Sequence, residues 1–219
     1  MSFLAERREV LATCLQLAEK GFLAGTSGNI ACRAGANHFA ITPSASDYYV
    51  MTPEDICVVR LDDLTCIFGN RRPSVELRLH AAVFRKHEDC NASLHTHQPI
   101  ASAYSLLGKD LIPQIPSHQQ VLGKIVPCLG YAPSGTTWLA NRLLKRLSTD
   151  AHAYLMRNHG VICCGSSVHQ AVQRLEALES SCSLFFRNAM SKRSLAEPLP
   201  WHADVQYLLS HNDGQESLQ

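Results

Sequence analysis

The alternation of helix-like and strand-like segments along the chain limits the folds that it can adopt. An amphipathic helix is predicted over residues 3–20, and later helices from Ser74 to about His87, over 99–107, from Ser134 or Thr136 to Leu147, and over 168–190. Short apolar segments predict strands over 30–33, 38–42, 56–61, 92–96, 153–157 and 161–164. A helix-start signal stands at Thr52–Asp55, and a proline-rich loop is predicted over 112–117. Because the two kinds of segment interleave throughout, the sequence predicts an α/β class with a central sheet covered by helices.

The length and composition indicate one globular domain. The chain has 219 residues, of which 46% are hydrophobic and 18% charged. This is enough apolar material for one substantial core, whereas two domains would each be small. We expect the domain to span residues 1–190. The polar segment 191–219 is expected to be a tail that is partly mobile or contacts another subunit.

Charge and hydropathy argue against binding to nucleic acid or membrane. The net charge is only +1, which gives no broad attraction to polyanions. No apolar run approaches the length of a membrane span, and the first ten residues lack the order of a signal peptide. The expected location is therefore the cytoplasm.

The nine cysteines are scattered, odd in number and without a C-x-x-C pair. Several lie within apolar runs. Buried free thiols are therefore favoured over a disulfide framework or a cysteine-bound zinc. This leaves histidine as the residue type to consider for metal binding.

Three histidines are candidate metal ligands. His95 and His97 are two positions apart on a predicted strand, so their side chains project from the same face and can converge on one ion. His159 lies on a glycine-containing turn between two predicted strands, where it could supply a third ligand. The alternatives are two surface histidines and a hydrogen-bonded turn histidine.

Glu76 is the candidate acid or base, because a carboxylate beside a metal-bound substrate can take and return a proton. It could also complete the metal coordination. The alternative is an ordinary glutamate near a helix N-terminus, which the helix dipole favours.

Three polar turns offer backbone N–H groups and hydroxyls that could bind a phosphate. They are Thr26–Asn29, Thr42–Ser44 and the turn at Ser74. For each turn taken separately, an ordinary polar turn is the alternative explanation.

Together these segments resemble the class II aldolase/adducin family over roughly residues 5–190. The matching stretches, in the family order, are GTSGNI, ITPS, RRPSVELRLHAAVFR, HTH, IP, YAPSGT and LMRNHGVI. The resemblance implies a single three-layer domain with a mostly antiparallel central sheet between helices, and a homotetramer with active sites between subunits. It assigns Zn²⁺, or another divalent transition metal, to His95, His97 and His159.

The same resemblance implies aldol cleavage of a small ketose phosphate, such as fuculose 1-phosphate. The products would be dihydroxyacetone phosphate and a short aldehyde, formed through a metal-stabilised enediolate. Glu76 would move the proton on the enediolate carbon. Phosphate binding is assigned to six residues: Thr26, Gly28, Asn29, Thr42, Ser44 and Ser74.

Three departures from the family's sugar-phosphate aldolases bear on the substrate. Ala45 stands where a glycine is expected, and Val75 replaces a serine hydroxyl in the stretch P-S-S-E. A tyrosine that would protonate the aldehyde oxygen is absent. His118 stands near its position and suits proton transfer near neutrality, although a surface histidine is an equal alternative.

Other functions in the same superfamily stay open. Decarboxylation of a sugar-acid phosphate is the main alternative, since it uses the same enediolate chemistry. Epimerisation is disfavoured because Gln119 and Gln120 stand where an aspartate is expected. A non-catalytic adducin-like binding module is a further alternative, disfavoured by the retained histidines and Glu76.

Overall fold

The protein was studied as a computed structural model, which describes residues 3–191 together with Ala203, Asp204, Tyr207 and Ser210. Almost all of the predicted tail therefore lies outside the described residues. In the described part of the chain there are eight strands: β1 (Asn29–Arg33), β2 (His38–Ile41), β3 (Cys57–Arg60), β4 (Cys66–Phe68), β5 (Ala92–Thr96), β6 (Cys128–Leu129), β7 (Ala153–Met156) and β8 (Gly160–Gly165). The helices are α1 (Leu4–Glu19), α2 (Leu77–Lys86), α3 (Pro99–Ser105), α4 (Pro116–Leu122), α5 (Thr137–Arg146) and α6 (Val168–Ser191).

The strands form one sheet in the order β4-β3-β2-β1-β5-β8-β7-β6. Its described strand pairs are antiparallel, except that β6 and β7 run parallel. The prediction of a mostly antiparallel central sheet is confirmed. β5 and β8 lie in the middle and pair with His95 opposite Ile162.

Helices cover both faces of the sheet, because successive strand residues point to opposite sides. On one face, Leu94 and Cys163 pack in a core with α1, α3, α4 and α6. On the other face, Ile162 and Cys164 pack with α2 and α5. The result is the predicted three-layer arrangement. No helix in the described part of the chain is long and apolar enough to cross a membrane.

Two predicted helix starts are wrong. The stretch Thr52–Asp55 forms a turn before β3, because the Asp55 carboxylate accepts a hydrogen bond from the Thr52 backbone at 2.9 Å and the chain then enters the strand. Ser74 does not cap α2. Its hydroxyl accepts from the backbone of Glu76 at 3.2 Å within a turn, and Glu76 itself is the N-cap residue.

Other boundaries agree more closely, with three elements missed. Of the two proposed caps for α5, Thr136 is the N-cap residue, and its side chain accepts from the Leu139 backbone. The exposed strand β4, the two-residue strand β6 and helix α4 were not predicted. α4 begins at Pro116, at the end of the segment predicted to be a proline-rich loop.

Candidate active site

The three predicted histidines lie together at one end of the β5–β8 pair. His95 is on β5, His97 follows it, and His159 lies on the turn between β7 and β8. Their ligand atoms are all within 4.8 Å of one another. The Nε2 atoms of His95 and His97 are 3.0 Å apart. Nitrogen ligands of a tetrahedral zinc ion would be about 3.3 Å apart, so little movement is needed to bind one.

Glycines allow these segments to approach one another. Gly28 has a φ of 87°, and a Cβ there would lie 2.5 Å from Leu23 Cδ2 and 2.7 Å from the His95 carbonyl oxygen. At Gly160 a Cβ would lie 2.5 Å from the Thr96 carbonyl oxygen and 2.6 Å from His97 Cδ2. Any larger residue at either position would displace the strand that carries the histidines.

A backbone contact fixes the tautomer of His95. Its Nδ1 donates to the Val161 carbonyl oxygen at 2.7 Å, so Nδ1 carries a proton and Nε2 is the nitrogen available to a metal ion. His95 is completely buried. The strand pairing therefore both orients the ring and prepares the nitrogen that faces the cluster.

Glu76 lies against the histidine cluster from the start of α2. Its Oε2 is 3.1 Å from His95 Nε2, and its Oε1 is 3.3 Å from His159 Nε2. The side chain is only 5% exposed. Three imidazole nitrogens and a carboxylate thus face one point, a donor set that suits zinc and other divalent transition metals.

Behind Glu76 lies a buried hydrogen-bond chain. Asn29 Nδ2 donates to Glu76 Oε2 at 2.8 Å, and Asn29 Oδ1 accepts from His80 Nε2 at 2.6 Å. Since that nitrogen of His80 carries the proton, Nδ1 accepts from the Ser93 hydroxyl at 2.8 Å. The chain fixes the position of the carboxylate from the side opposite the histidines.

Ser134 provides a further contact, donating its hydroxyl to Glu76 Oε1 at 2.7 Å. From the sequence, Ser134 is only a possible helix cap, and His80 and Ser93 were missed. His80 lies four positions after Glu76 in the stretch that resembles the family. That spacing was the one feature of the sequence that could have indicated a role for His80. For Ser93 the sequence indicated only a place on β5.

Electrostatics favour an ionised Glu76 beside neutral His97 and His159. Burial, the largest influence, raises the pKa of Glu76, but His95 and the hydrogen bonds from Asn29 and Ser134 lower it well below the ordinary glutamate value. Burial and then His95 lower the pKa of His97 and of His159 to about 4 each. Burial lowers the pKa of His80 to about 3. Neutral imidazoles are the form that binds metal.

The residues predicted to bind phosphate lie on segments next to Glu76. Ile30 donates its backbone N–H to the Thr42 hydroxyl at 3.3 Å, and Ser74 donates its N–H to the Thr42 carbonyl oxygen at 3.0 Å. Ser44 donates its N–H to the Arg72 carbonyl oxygen at 2.9 Å. Thr26 is exposed on the preceding turn.

The hydrogen bonds of these residues bear on the phosphate assignment. The Asn29 side-chain nitrogen donates to Glu76 and its oxygen accepts from His80, so the geometry supports a positioning role for this residue. Thr42 and Ser74 use their hydroxyl oxygens to accept from backbone N–H groups. The assignment of phosphate to the six residues stays a prediction.

His118 lies on α4, where its Nδ1 is 2.8 Å from the Ser181 hydroxyl of α6. This contact fixes the orientation of the ring within its own chain. The role of His118 as a proton donor stays a prediction.

The fold and this site together define a protein with a candidate metal centre at the end of an antiparallel strand pair. A family model described as the class II aldolase and adducin N-terminal domain matches residues 8–186. The chain belongs to this family.

Relatives with assigned names differ in their chemistry. The 5-deoxy-D-ribulose 1-phosphate aldolase of Bacillus thuringiensis serovar kurstaki is 34% identical over 194 residues, covering 88% of each chain. The 3-oxo-tetronate 4-phosphate decarboxylase of Haemophilus influenzae is 29% identical over 191 residues, covering 85% of this chain and 89% of its own.

Among solved structures, the L-fuculose-1-phosphate aldolase of Thermus thermophilus matches with a TM-score of 0.72 and 26% identity. The match covers 86% of this chain and 95% of that one. Together the comparisons confirm the predicted family, the fold class and the enzyme class, a lyase of the class II aldolase type.

Proposed function

We propose that the protein is a zinc-dependent aldolase that cleaves a small ketose phosphate to dihydroxyacetone phosphate and a short aldehyde. The observation that carries the proposal is the Glu76 carboxylate, whose two oxygens lie 3.1 and 3.3 Å from the Nε2 atoms of His95 and His159. A carboxylate in this position can exchange protons with a substrate that occupies the same point.

The metal would be held by His95, His97 and His159. When bound, it would supply positive charge that stabilises the enediolate formed when the carbon–carbon bond of the substrate breaks. Imidazole ligands carry no charge when they bind a metal, so they would leave that charge undiminished. His95 itself is completely buried, and the low polarity around it would strengthen the interaction.

Glu76 would take a proton from the substrate during synthesis and return it to the enediolate carbon after cleavage. The hydrogen bonds from Asn29 and Ser134 hold the carboxylate in one orientation. His80 stays neutral at physiological pH and holds Asn29, so the positioning does not change with the reaction. His118 is proposed to exchange the proton of the substrate hydroxyl that becomes the aldehyde oxygen, accepting it in cleavage and donating it in synthesis.

Decarboxylation of a sugar-acid phosphate is the second candidate. It is favoured by the similarity to the decarboxylase of Haemophilus influenzae and by the two substitutions in the predicted phosphate site, Ala45 and Val75. Loss of carbon dioxide from a 2-hydroxy-3-oxo acid also leaves an enediolate, so the same metal ligands would serve.

A homotetramer with sites between subunits is also proposed. Large apolar side chains near the site support it, since Val75, Tyr131 and Trp138 are each more than half exposed. Surfaces of this kind are typical of subunit contacts. A cytoplasmic location is supported by the nine free cysteines, which suit a reducing compartment.

The test combines metal content with product analysis. Purified protein, the His95→Ala/His97→Ala variant and the Glu76→Gln variant are assayed for dihydroxyacetone phosphate release from ketose 1-phosphates and for carbon dioxide release from 3-oxo acid phosphates. We expect aldol cleavage in the parent and none in the histidine variant, which should bind one zinc ion fewer per chain than the parent. Glu76→Gln should keep the zinc content of the parent and lose cleavage. Carbon dioxide release without aldol cleavage would establish the second candidate. Failure of the parent to bind any divalent metal would overturn both.

A further inference from the structure

A second group of potential metal ligands lies outside the active site. Cys90 precedes β5, His152 precedes β7, and Cys164 is on β8. One ligand atom from each lies within 4.8 Å of the others. No sequence pattern pointed to this group, because its members are separated by 62 and 12 positions and form no C-x-x-C pair.

The sheet places this group at the far end of the strands that carry the catalytic histidines. Cys164 pairs with Ser93, and its backbone N–H donates to the His152 carbonyl oxygen at 2.9 Å. Cys90 and His95 are five positions apart in nearly extended chain, a separation of about 16 Å. The two groups therefore cannot share one ion.

The backbone around the group is held by a partly buried arginine, Arg33. Arg33 donates to the carbonyl oxygens of Cys90 at 2.9 Å, of His87 at 3.1 Å and of Phe84 at 2.8 Å. These bonds fix the end of α2 and the loop after it against β1. The positions of His87 and Cys90 are thus set by the fold before any ligand binds.

Two buried imidazole nitrogens beside the thiols have no hydrogen-bond partner among the described residues. They are Nε2 of His87, a residue that is 4% exposed, and Nδ1 of His152. The two rings are tilted with centroids 5.5 Å apart, compared with 4.7 to 5.1 Å among the active-site histidines. A buried nitrogen without a partner is costly, and a metal ion would satisfy it.

The burial of the two thiols also suits a cation, since Cys90 and Cys164 are each 1% exposed. The thiolate is the form of cysteine that binds metal. A thiolate buried at either position would be stabilised by a bound cation.

We propose that Cys90, Cys164 and His152 bind a second zinc ion, with His87 as the fourth ligand after a small rotation of its ring. Two sulfurs and two imidazole nitrogens are a donor set of structural zinc sites, which leave no open position for substrate. The ion links the loop after α2 to the β7–β8 pair. This site is independent of the proposed catalytic function and departs from the expectation that no zinc is bound by cysteine.

Cobalt substitution tests the site without measuring activity. Metal-depleted protein is titrated with Co²⁺ under reducing conditions, and thiolate-to-cobalt charge transfer is followed in the near ultraviolet. The active-site histidines contribute no sulfur, so this absorption reports only the cysteine site. We expect the band in the parent chain, saturating at about one equivalent for this site and reversed by Zn²⁺.

Matched variants assign the band to its ligands. Cys90→Ala and Cys164→Ala should abolish it, whereas Cys163→Ala should retain it. Cys163 is adjacent and equally buried but packs on the opposite face of the sheet. Circular dichroism establishes that each variant is folded.

Three results would overturn the proposal. They are absence of the band in the parent, persistence of the band in folded Cys90→Ala, and a Cys90–Cys164 disulfide in protein purified under reducing conditions. Absence of the band in the parent chain overturns the proposal even if a variant fails to fold.

Discussion

Asn29 donates a hydrogen bond to Glu76 at 2.8 Å across 47 positions of the sequence. The same amide accepts from His80 on its other side, so its orientation is fixed. Asn29 thereby determines where the Glu76 carboxylate stands relative to the histidines.

Replacing Asn29 by alanine should reduce kcat by about tenfold, the effect of losing about 1.4 kcal/mol of positioning energy. Because the Asn29 hydrogen bond lowers the pKa of Glu76, its loss should also move the acid limb of the pH–rate profile to higher pH. Metal content, measured by elemental analysis, should stay unchanged. Asn91→Ala is the control, since Asn91 is exposed and its side chain donates to the Ser166 carbonyl oxygen. Loss of metal in Asn29→Ala would contradict a positioning role.

The stability of the metal-free protein should fall as pH is lowered from 6.5 to 4. His97 and His159 have pKa values of about 4 in the folded chain against an ordinary value of 6.5, so the unfolded chain binds more protons in this window. The lowered pKa of Glu76 adds a further loss only below its ordinary value of 4.5.

Urea unfolding at a series of pH values measures this dependence. In a His97→Gln/His159→Gln variant the free energy of unfolding should depend less on pH between 6.5 and 4. Below pH 4.5 its decrease depends on the residues that still contact Glu76. An identical slope in the variant and the parent would show that other groups control the acid sensitivity.

Ala45→Gly should stabilise the protein by about 1 kcal/mol. Ala45 has a φ of 48°, in the left-handed region, which costs a residue with a Cβ about 1–2 kcal/mol. Part of that gain is offset by the greater freedom of glycine in the unfolded chain. Thermal unfolding measures the change, and Ala36→Gly, at an exposed position without a positive φ, should lower stability instead.

Val75→Ser should lower KM for a phosphorylated ketose by about tenfold without a similar change for its unphosphorylated analogue. The new hydroxyl adds a hydrogen bond to a charged group, worth about 1.5 kcal/mol or more. Steady-state kinetics on both substrates tests this. Val75→Ala is the control, because it removes the bulk of valine without adding a hydroxyl. An equal decrease in KM in that variant would show that the smaller side chain, and not the hydroxyl, causes the effect.

The convergence of the three histidines was predictable because its geometry is local. The spacing of His95 and His97 on a strand fixes a shared face, and the turn at His159 is recognisable from its flanking strands. The contacts of Glu76 with Asn29 and Ser134 were not predictable, because they join residues 47 and 58 positions apart. Such pairs depend on the sheet order, which one sequence does not show.

The errors in the fold have a similar cause. The side chains of Thr52 and Asp55 have the chemistry of a helix start, but the same hydrogen bond also closes a short turn. Strands β4 and β6 have three and two residues, too few to show the alternation of apolar and polar residues that predicts a strand. Both lie at the outer edges of the sheet, where each forms only by pairing with its single neighbour.

The alignment of β5 with β8 has a consequence for how mutations are tolerated. Ser93 faces Cys164, and His95 faces Ile162, on one side of the sheet. A slip of one residue between these strands would turn the side chains of the displaced strand to the opposite face of the sheet. The histidine cluster at one end of the strands and the group of Cys90, His152 and Cys164 at the other end would both be lost. An insertion or deletion within either strand is therefore far more damaging than the same change in the surrounding loops, even where it leaves every functional residue in the sequence.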